Sequence, residues 1–204
     1  MRQLELAEEA VTVRERAHPE DPDRDVVELV GAGRTDAALR LLMERHGTAV
    51  YRYCREELRD AALADDVHQQ VFVQVHRDLP RFAGRATVRT WLFAIARNRV
   101  LDAAKARRRA TAYIEHDDTA DAPDLTPSPD EQIDDVRLVQ MLVHCVARLP
   151  AAMRTAVLLR YQQGFTFAEM ARICGEKPGT LQARVTRALP LLRKCIEATT
   201  AGSL

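Results

Sequence analysis

Leu149 to Ala188 reads LPAAMRTAVLLRYQQGFTFAEMARICGEKPGTLQARVTRA, and the punctuation of this stretch decides the fold. Ala151 to Gln162 carries apolar residues at Met153, Val157, Leu158 and Tyr161, the spacing of one helical face. Gly164 closes that helix. Thr166-Phe167-Ala168-Glu169 then forms a capping box, in which a hydroxyl and a carboxylate take up orphan N–H groups at the start of a second helix. Gly175 stops the second helix and Pro178 opens a third, because a proline at the first helical position gives up an N–H that has no partner anyway. This is helix-turn-helix grammar. In such a unit the last helix lies in the major groove of duplex DNA with its early residues toward the base edges, here Thr180, Gln182, Ala183, Arg184 and Arg187, with Lys177 just ahead of them. Between Arg172 and Lys194 there are six bases and one acid, which suits a polyanion.

Upstream, Arg81 to Arg109 reads RFAGRATVRTWLFAIARNRVLDAAKARRR, with nine Lys or Arg against the single acid Asp102. Positive side chains track phosphates, while rings and guanidinium planes offer faces for unstacked bases, so this combination favours single-stranded nucleic acid. Thr87 is placed to cap a helix whose Val88, Trp91, Leu92, Ile95 and Ala96 fall in one stripe. Simpler assignments stand beside these. Trp91 on an apolar stripe is core before it is a stacking platform, Arg99 and Asp102 are spaced to pair along the helix, and Arg107 to Arg109 fit a helix-end cation cluster as well as a contact.

Further out, Asp23 to Ala32 reads as a short helix ended by Gly31 and Gly33, and Thr35 or Asp36 opens a longer one. A helix from near Asp60 repeats Val67, Val71, Val75 and Leu79 until Pro80, with Asp65, Asp66, Gln69, Gln70 and Gln74 on its other face. Residues 111–127 turn acidic and collect Pro123 and Pro127, the composition of a flexible linker. Ser128-Pro129-Asp130-Glu131 caps the next helix, which runs to about Arg148. Strand patterns are absent. The expected fold is all-α, two small helical domains joined by a flexible acidic linker: 1–22 an N-terminal extension, 23–110 the first domain, 111–127 the linker, 128–198 the helix-turn-helix domain and 199–204 a tail.

The 204 residues have a formal net charge of +0, but this is a cancellation, since Glu115 to Asp135 holds nine acids and no Lys or Arg. The first residues, MRQLELAEEAV, lack a basic start and an apolar core, and no later run is apolar enough to span a bilayer, so no membrane insertion and a cytoplasmic location are expected. Cys54, Cys145, Cys174 and Cys195 are too dispersed for a paired ligand motif and read as small buried apolar residues. A zinc or redox site built on His144, Cys145 and a distant partner is the alternative. No phosphate-cradling G-x-x-x-x-G-K-[ST] loop is present, and no cofactor, metal, catalytic residue or small-molecule substrate is expected.

Three stretches together resemble a known family: Asp65-Asp66-Val67-His68-Gln69-Gln70-Val71-Phe72, Arg89-Thr90-Trp91-Leu92-Phe93-Ala94-Ile95-Ala96-Arg97-Asn98, and Leu149-Pro150 through Leu158-Leu159-Arg160-Tyr161 and Gly179-Thr180-Leu181 to Arg187-Ala188. The chain is similar, over most of residues 24 to 197, to bacterial sigma factors of the extracytoplasmic-function type, the sigma-70 family pared to its second and fourth regions. The resemblance implies a dissociable subunit that gives core RNA polymerase its promoter specificity, helps open the duplex without an active site of its own, and is held inactive by an anti-sigma factor. It implies core polymerase docking at Asp65, Asp66, Gln69, Gln70 and Val73. A minus-ten base is pocketed by the loop from Phe82 to Thr87, including Arg85 and flanked by Arg81, with Trp91, Arg97, Asn98 and Lys105 along the strand. Lys177, Thr180, Gln182, Ala183, Arg184 and Arg187 are the corresponding minus-thirty-five set.

The sequence departs from the family pattern at Gln70, where a glutamate is usual, at His68, at Glu176-Lys177-Pro178 and at Gln182-Ala183. Pro190 is expected to break or kink the recognition helix near Leu189. Two other functions compete. A sigma-like decoy that binds only an anti-sigma factor has no use for the basic surface, and an ordinary helix-turn-helix repressor leaves Arg81 to Arg109 unexplained.

Overall fold

The structure, a computed structural model, describes residues 21–113 and 133–201, and all of its regular elements there are helical. The N-terminal extension up to residue 20, most of the acidic linker, the Ser128 to Glu131 cap and the last three residues lie outside the described residues. In chain order the helices are α1 (Arg24–Gly31), α2 (Thr35–Leu58), α3 (Ala61–Asp78), a 3-10 turn (Leu79–Arg81), α4 (Val88–Tyr113), α5 (Ile133–Ala147), α6 (Ala151–Val157), a π-helical turn (Leu158–Gln162), α7 (Phe167–Cys174) and α8 (Pro178–Ala201).

Helices α1 to α4 form the first bundle. Val67, Val71 and Val75 of α3 are buried with Leu42, Val50 and Tyr53 of α2 and Leu92, Phe93 and Ala96 of α4, the spacings of three, four and eight that place side chains on one face. Burying a Val, Leu or Phe side chain contributes about 1.5–3 kcal/mol each, so these stripes supply the bundle's driving force. The bundle begins earlier than its helices. Asp21 accepts hydrogen bonds from Asp23 N–H (3.0 Å) and, 67 residues on, from Val88 N–H (2.6 Å), so its carboxylate sits on the first turn of α4. Asp23 is buried against Arg45 (3.1 Å) and His46 (2.7 Å), and Asp25 takes the same Arg45 guanidinium. Burial works to raise the Asp23 pKa, but His46 and Arg45 outweigh it and hold the carboxyl below its ordinary value.

Helices α5 to α8 form the second bundle around Leu159, Phe165, Met170, Leu181, Val185 and Ala188. The Thr166 capping box is complete: Thr166 Oγ1 accepts from Glu169 N–H (3.2 Å) while Glu169 accepts from Thr166 N–H (2.8 Å). Gly175 ends α7 with φ +66°, a left-handed conformation that favours glycine.

The cysteine expectation needs correction. Cys54 and Cys174 are free and buried, but Cys145 on α5 and Cys195 on α8 form a disulfide that closes 50 residues of chain. That bond also uses up the Cys145 sulfur that the zinc alternative required. Pro190 neither stops nor breaks α8, which runs on to Ala201. An interior proline costs a helix about 3 kcal/mol, and here the segment beyond it is retained by buried Leu192 and by Cys195, which is bonded to α5.

The two bundles touch. Arg154 of α6 reaches Glu57 of α2, with Nε 3.3 Å from the carboxylate and Nη2 3.2 Å from the Glu57 carbonyl, and the same guanidinium bonds the carbonyls of Ala147 and Leu149. Glu57 is pushed toward a higher pKa by burial, against the pull of its hydrogen-bond partners and Arg154. Arg89 of α4 lies 4.1 Å over the Phe165 ring and donates to the Gln163 carbonyl, and Phe93 meets Phe165 edge-on at 5.0 Å.

Candidate nucleic-acid interface

Helix α4 starts where three oxygens converge. Besides Asp21 on Val88 N–H, Thr87 Oγ1 accepts from Thr90 N–H (3.2 Å) and donates to Thr90 Oγ1 (2.9 Å). Thr87 is therefore a cap as the sequence suggests, and its hydroxyl is committed to that role. The loop ahead of it turns at Gly84 with φ +64°. Within this loop Arg81 and Arg85 are exposed, whereas Phe82 is buried and packs against Trp91 at 5.3 Å between centroids. The Phe82 ring thus supports Trp91 and leaves Trp91, itself half-buried, as the more exposed ring of the pair.

Along α4, Trp91, Asn98 and Lys105 recur every seven residues and share one side of the helix, with Asn98 and Lys105 exposed. Arg97 is not among them. Six residues past Trp91, it is turned about 240° around the axis, onto the side of Arg89 and Phe93 that faces the second bundle. Its Nη2 lies 3.8 Å from Glu176, and its Nε is buried without a hydrogen-bond partner in the described structure. The structure therefore separates one residue of the expected strand set from the rest. A sequence read in i, i+7 steps from Trp91 would have excluded it.

On α8, Thr180, Arg184 and Arg187 share a face, flanked by half-buried Ala183 and preceded by exposed Lys177. Gln182 is exposed but stands about 200° around the helix from Thr180. Arg184 is held in a two-pronged pair by Glu176, at 2.8 and 2.6 Å, and this pairing raises the Arg184 pKa. Glu176, one of the departures in the turn, thus fixes the guanidinium of an expected base reader.

The polar face of α3 opens into a groove of about 340 Å³ lined by Asp66, Gln69, Gln70 and Val73, together with Gln74, Arg77 and Arg99. Asp65 is exposed beside it and does not line it. Val73 leaves 62% of its surface to solvent at the groove's edge. Extending the helical series from Asp66 by one more turn identifies Gln74 and Arg77. Arg99 arrives from α4 and donates to Gln74, which in turn donates to Asp78, so the expected Arg99–Asp102 pair is replaced by a contact between helices. His68 points elsewhere: its ring packs edge-on against Tyr51 and Phe72 and its Nε2 bonds the Gly47 carbonyl.

Fold and surfaces together define a two-module helical protein with a basic helix in one module and a helix-turn-helix in the other. Residues 42–110 match the model of sigma-70 region 2 and residues 139–192 that of sigma-70 region 4. The RNA polymerase sigma factor CarQ of Myxococcus xanthus is 30% identical over 155 residues, covering 76% of this chain and 87% of that protein. The ECF sigma factor SigM of Mycobacterium tuberculosis is 32% identical over 157 residues, covering 76% and 75%. The sigma factor RpoE of Bartonella quintana, solved with the anti-sigma factor NepR, shares the fold with a TM-score of 0.64 at 22% identity, over 78% of this chain and 96% of that one. The chain belongs to the sigma-70 family of RNA polymerase sigma factors, in its extracytoplasmic-function branch. It is a transcription initiation factor that binds core RNA polymerase and directs it to promoters. Among the described residues no helix is long and apolar enough to cross a membrane.

Proposed function

We propose that the α3 groove, with Asp66, Gln69, Gln70 and Val73 and the added Gln74, Arg77 and Arg99, docks core polymerase, with Asp65 at its margin. Arg81, Arg85, Trp91, Asn98 and Lys105 hold the melted minus-ten strand, and Phe82 and Thr87 shape the loop behind them. Thr180, Arg184 and Arg187, with Ala183 and Lys177 beside them, read the minus-thirty-five duplex. Gln182 contacts the flank of that site. The observation that carries this reading is the pair of basic helices, one with a half-buried aromatic, Trp91, beside its exposed polar side and one set in a helix-turn-helix.

Unstacking a base costs a few kcal/mol, and aromatic stacking returns about 1–3 kcal/mol per base with phosphate contacts added, so opening proceeds without nucleotide hydrolysis. The protein works in the cytoplasm and has no active site of its own. An anti-sigma factor clamps the two domains, with boundaries at 23–110 and 128–198, and the acidic residues between them screen the basic helix. The test is transcript sequencing with purified core polymerase plus the chain on a genome-wide promoter library. Transcripts starting at a shared pair of upstream elements are expected. The absence of any chain-dependent start site would reject the reading.

A further inference from the structure

Between Arg172 and Lys194, on the surface expected to meet duplex DNA, six bases accompany one acid, Glu176. A carboxylate there repels phosphates, so general affinity does not account for it. Its backbone is fixed from both sides. Glu176 N–H donates to the Ala171 carbonyl at 3.2 Å just past Gly175, whose φ is +66°, and Pro178 begins α8 with a locked φ. From this short turn the carboxylate takes both terminal nitrogens of Arg184, Oε1 with Nη1 at 2.8 Å and Oε2 with Nη2 at 2.6 Å. Arg97 Nη2 lies 3.8 Å from the same carboxylate, beyond hydrogen-bond length, so Arg184 is the side chain that Glu176 orients.

Stability is not what this pair supplies. Each partner leaves 26% of its side chain to solvent, and pairs so open to water contribute little. Its effect on recognition is larger. An arginine loses rotamer freedom when a base fixes it, and here Glu176 fixes it before DNA arrives, which removes that cost from the contact. With the end-on edge of the guanidinium occupied, the side edge, Nε–H with one Nη–H, is left for a base, and guanine answers such a fork with O6 and N7. The charge is matched as well. A guanidinium already paired with a carboxylate is a weaker partner for phosphate, which every sequence offers alike. Arg187, three residues on, is exposed and has no side-chain partner among the described residues. It stands about 4.5 Å further along the axis, more than the ~3.4 Å between base pairs, so it addresses a different pair.

We infer that Glu176 is a specificity-determining residue of the upstream element: it positions Arg184 for one guanine and withholds it from phosphates, exchanging general affinity for base discrimination. This rests on the reading of α8 as the minus-thirty-five reader.

The test uses holoenzyme assembled from core polymerase and the full chain, on a promoter recovered by the transcript sequencing, with each upstream base pair replaced in turn. Glu176→Gln keeps the size of the side chain and removes its charge, and circular dichroism checks the fold. The variant should lower the preference at one base pair by about tenfold, the size of one bidentate contact, and leave the preference at the Arg187 pair unchanged. Binding to duplex without a promoter should strengthen, with a salt dependence steeper by about one phosphate contact. Arg184→Ala should flatten the same base pair, and adding Glu176→Gln to it should change that preference no further. An equal loss at every base pair would mark a merely structural turn and overturn the inference, as would effects of the two substitutions that simply add. A wild-type preference that survives Glu176→Gln would overturn the positioning role alone, whereas a wild type without any upstream preference would overturn it together with the reading of α8.

Discussion

In the first bundle the start of the DNA-facing helix is held by a carboxylate 67 residues upstream, Asp21 on Val88 N–H, whereas in the second the corresponding helix is tied near its far end by the Cys145–Cys195 bond and at its start by Glu176 on Arg184. One module relies on charge and hydrogen bonds that respond to pH and salt, and the other adds to such a pair a covalent tie that responds to reductant. The two readers therefore answer to different chemical conditions although they are similar in length. Their supports also differ in cost. A carboxylate on a helix start contributes up to about 2 kcal/mol when partly buried, less than a disulfide that closes a long loop.

The largest expected effect lies in the second module. Replacing Cys145 and Cys195 by serine should lower its stability by about 4 kcal/mol for a closed loop of 50 residues, seen in denaturant unfolding, while dithiothreitol reproduces the loss in wild type and does nothing to the variant. Arg187→Ala comes next. Where this exposed side chain contacts guanine through both prongs, the holoenzyme's upstream affinity should fall by about 1–3 kcal/mol, read by footprinting, whereas an unchanged footprint would remove Arg187 from the site.

Asp23→Asn should cost the first module about 2 kcal/mol, because it removes a buried charged acceptor from Arg45 and His46. The pH dependence follows from the lowered Asp23 pKa. The ionised carboxylate is favoured by the fold, so its contribution is fully present above about pH 4 and is lost as the pH falls through the depressed folded value. Acid titration of unfolding should thus be shallower in Asp23→Asn, and an equally steep curve would count against the role given to this residue. The smallest effect, about 1 kcal/mol, is expected for Thr166→Ala, which removes one half of the capping box and should lower the unfolding midpoint of the second module alone.

The helices were legible because each carries its own local signals. Thr166 with Glu169, Gly175, Pro178 and the Val67-Val71-Val75 repeat all act within one or two turns, so they mark element type and ends. The core followed from the same spacing. What escaped depends on distance along the chain: Asp21 meets Val88, Cys145 meets Cys195, Glu57 meets Arg154, and nothing at either position signals the other. Arg97 escaped for a different reason. Composition counted it with the basic residues of α4, but its angular position, fixed by 3.6 residues per turn, sets it against Glu176 and away from Trp91. Pro190 shows the reverse error, a local rule overruled by the packing of Leu192 and the bond at Cys195.

The Asp21 carboxylate also sets a practical limit on trimming the gene. A shortened product starting after Pro22 would keep every helix of the first module yet leave the Val88 amide without its anion. Such a fragment is expected to fray at the loop that presents Arg81 and Arg85, so versions meant for biochemistry should retain Asp21, whatever is fused ahead of it.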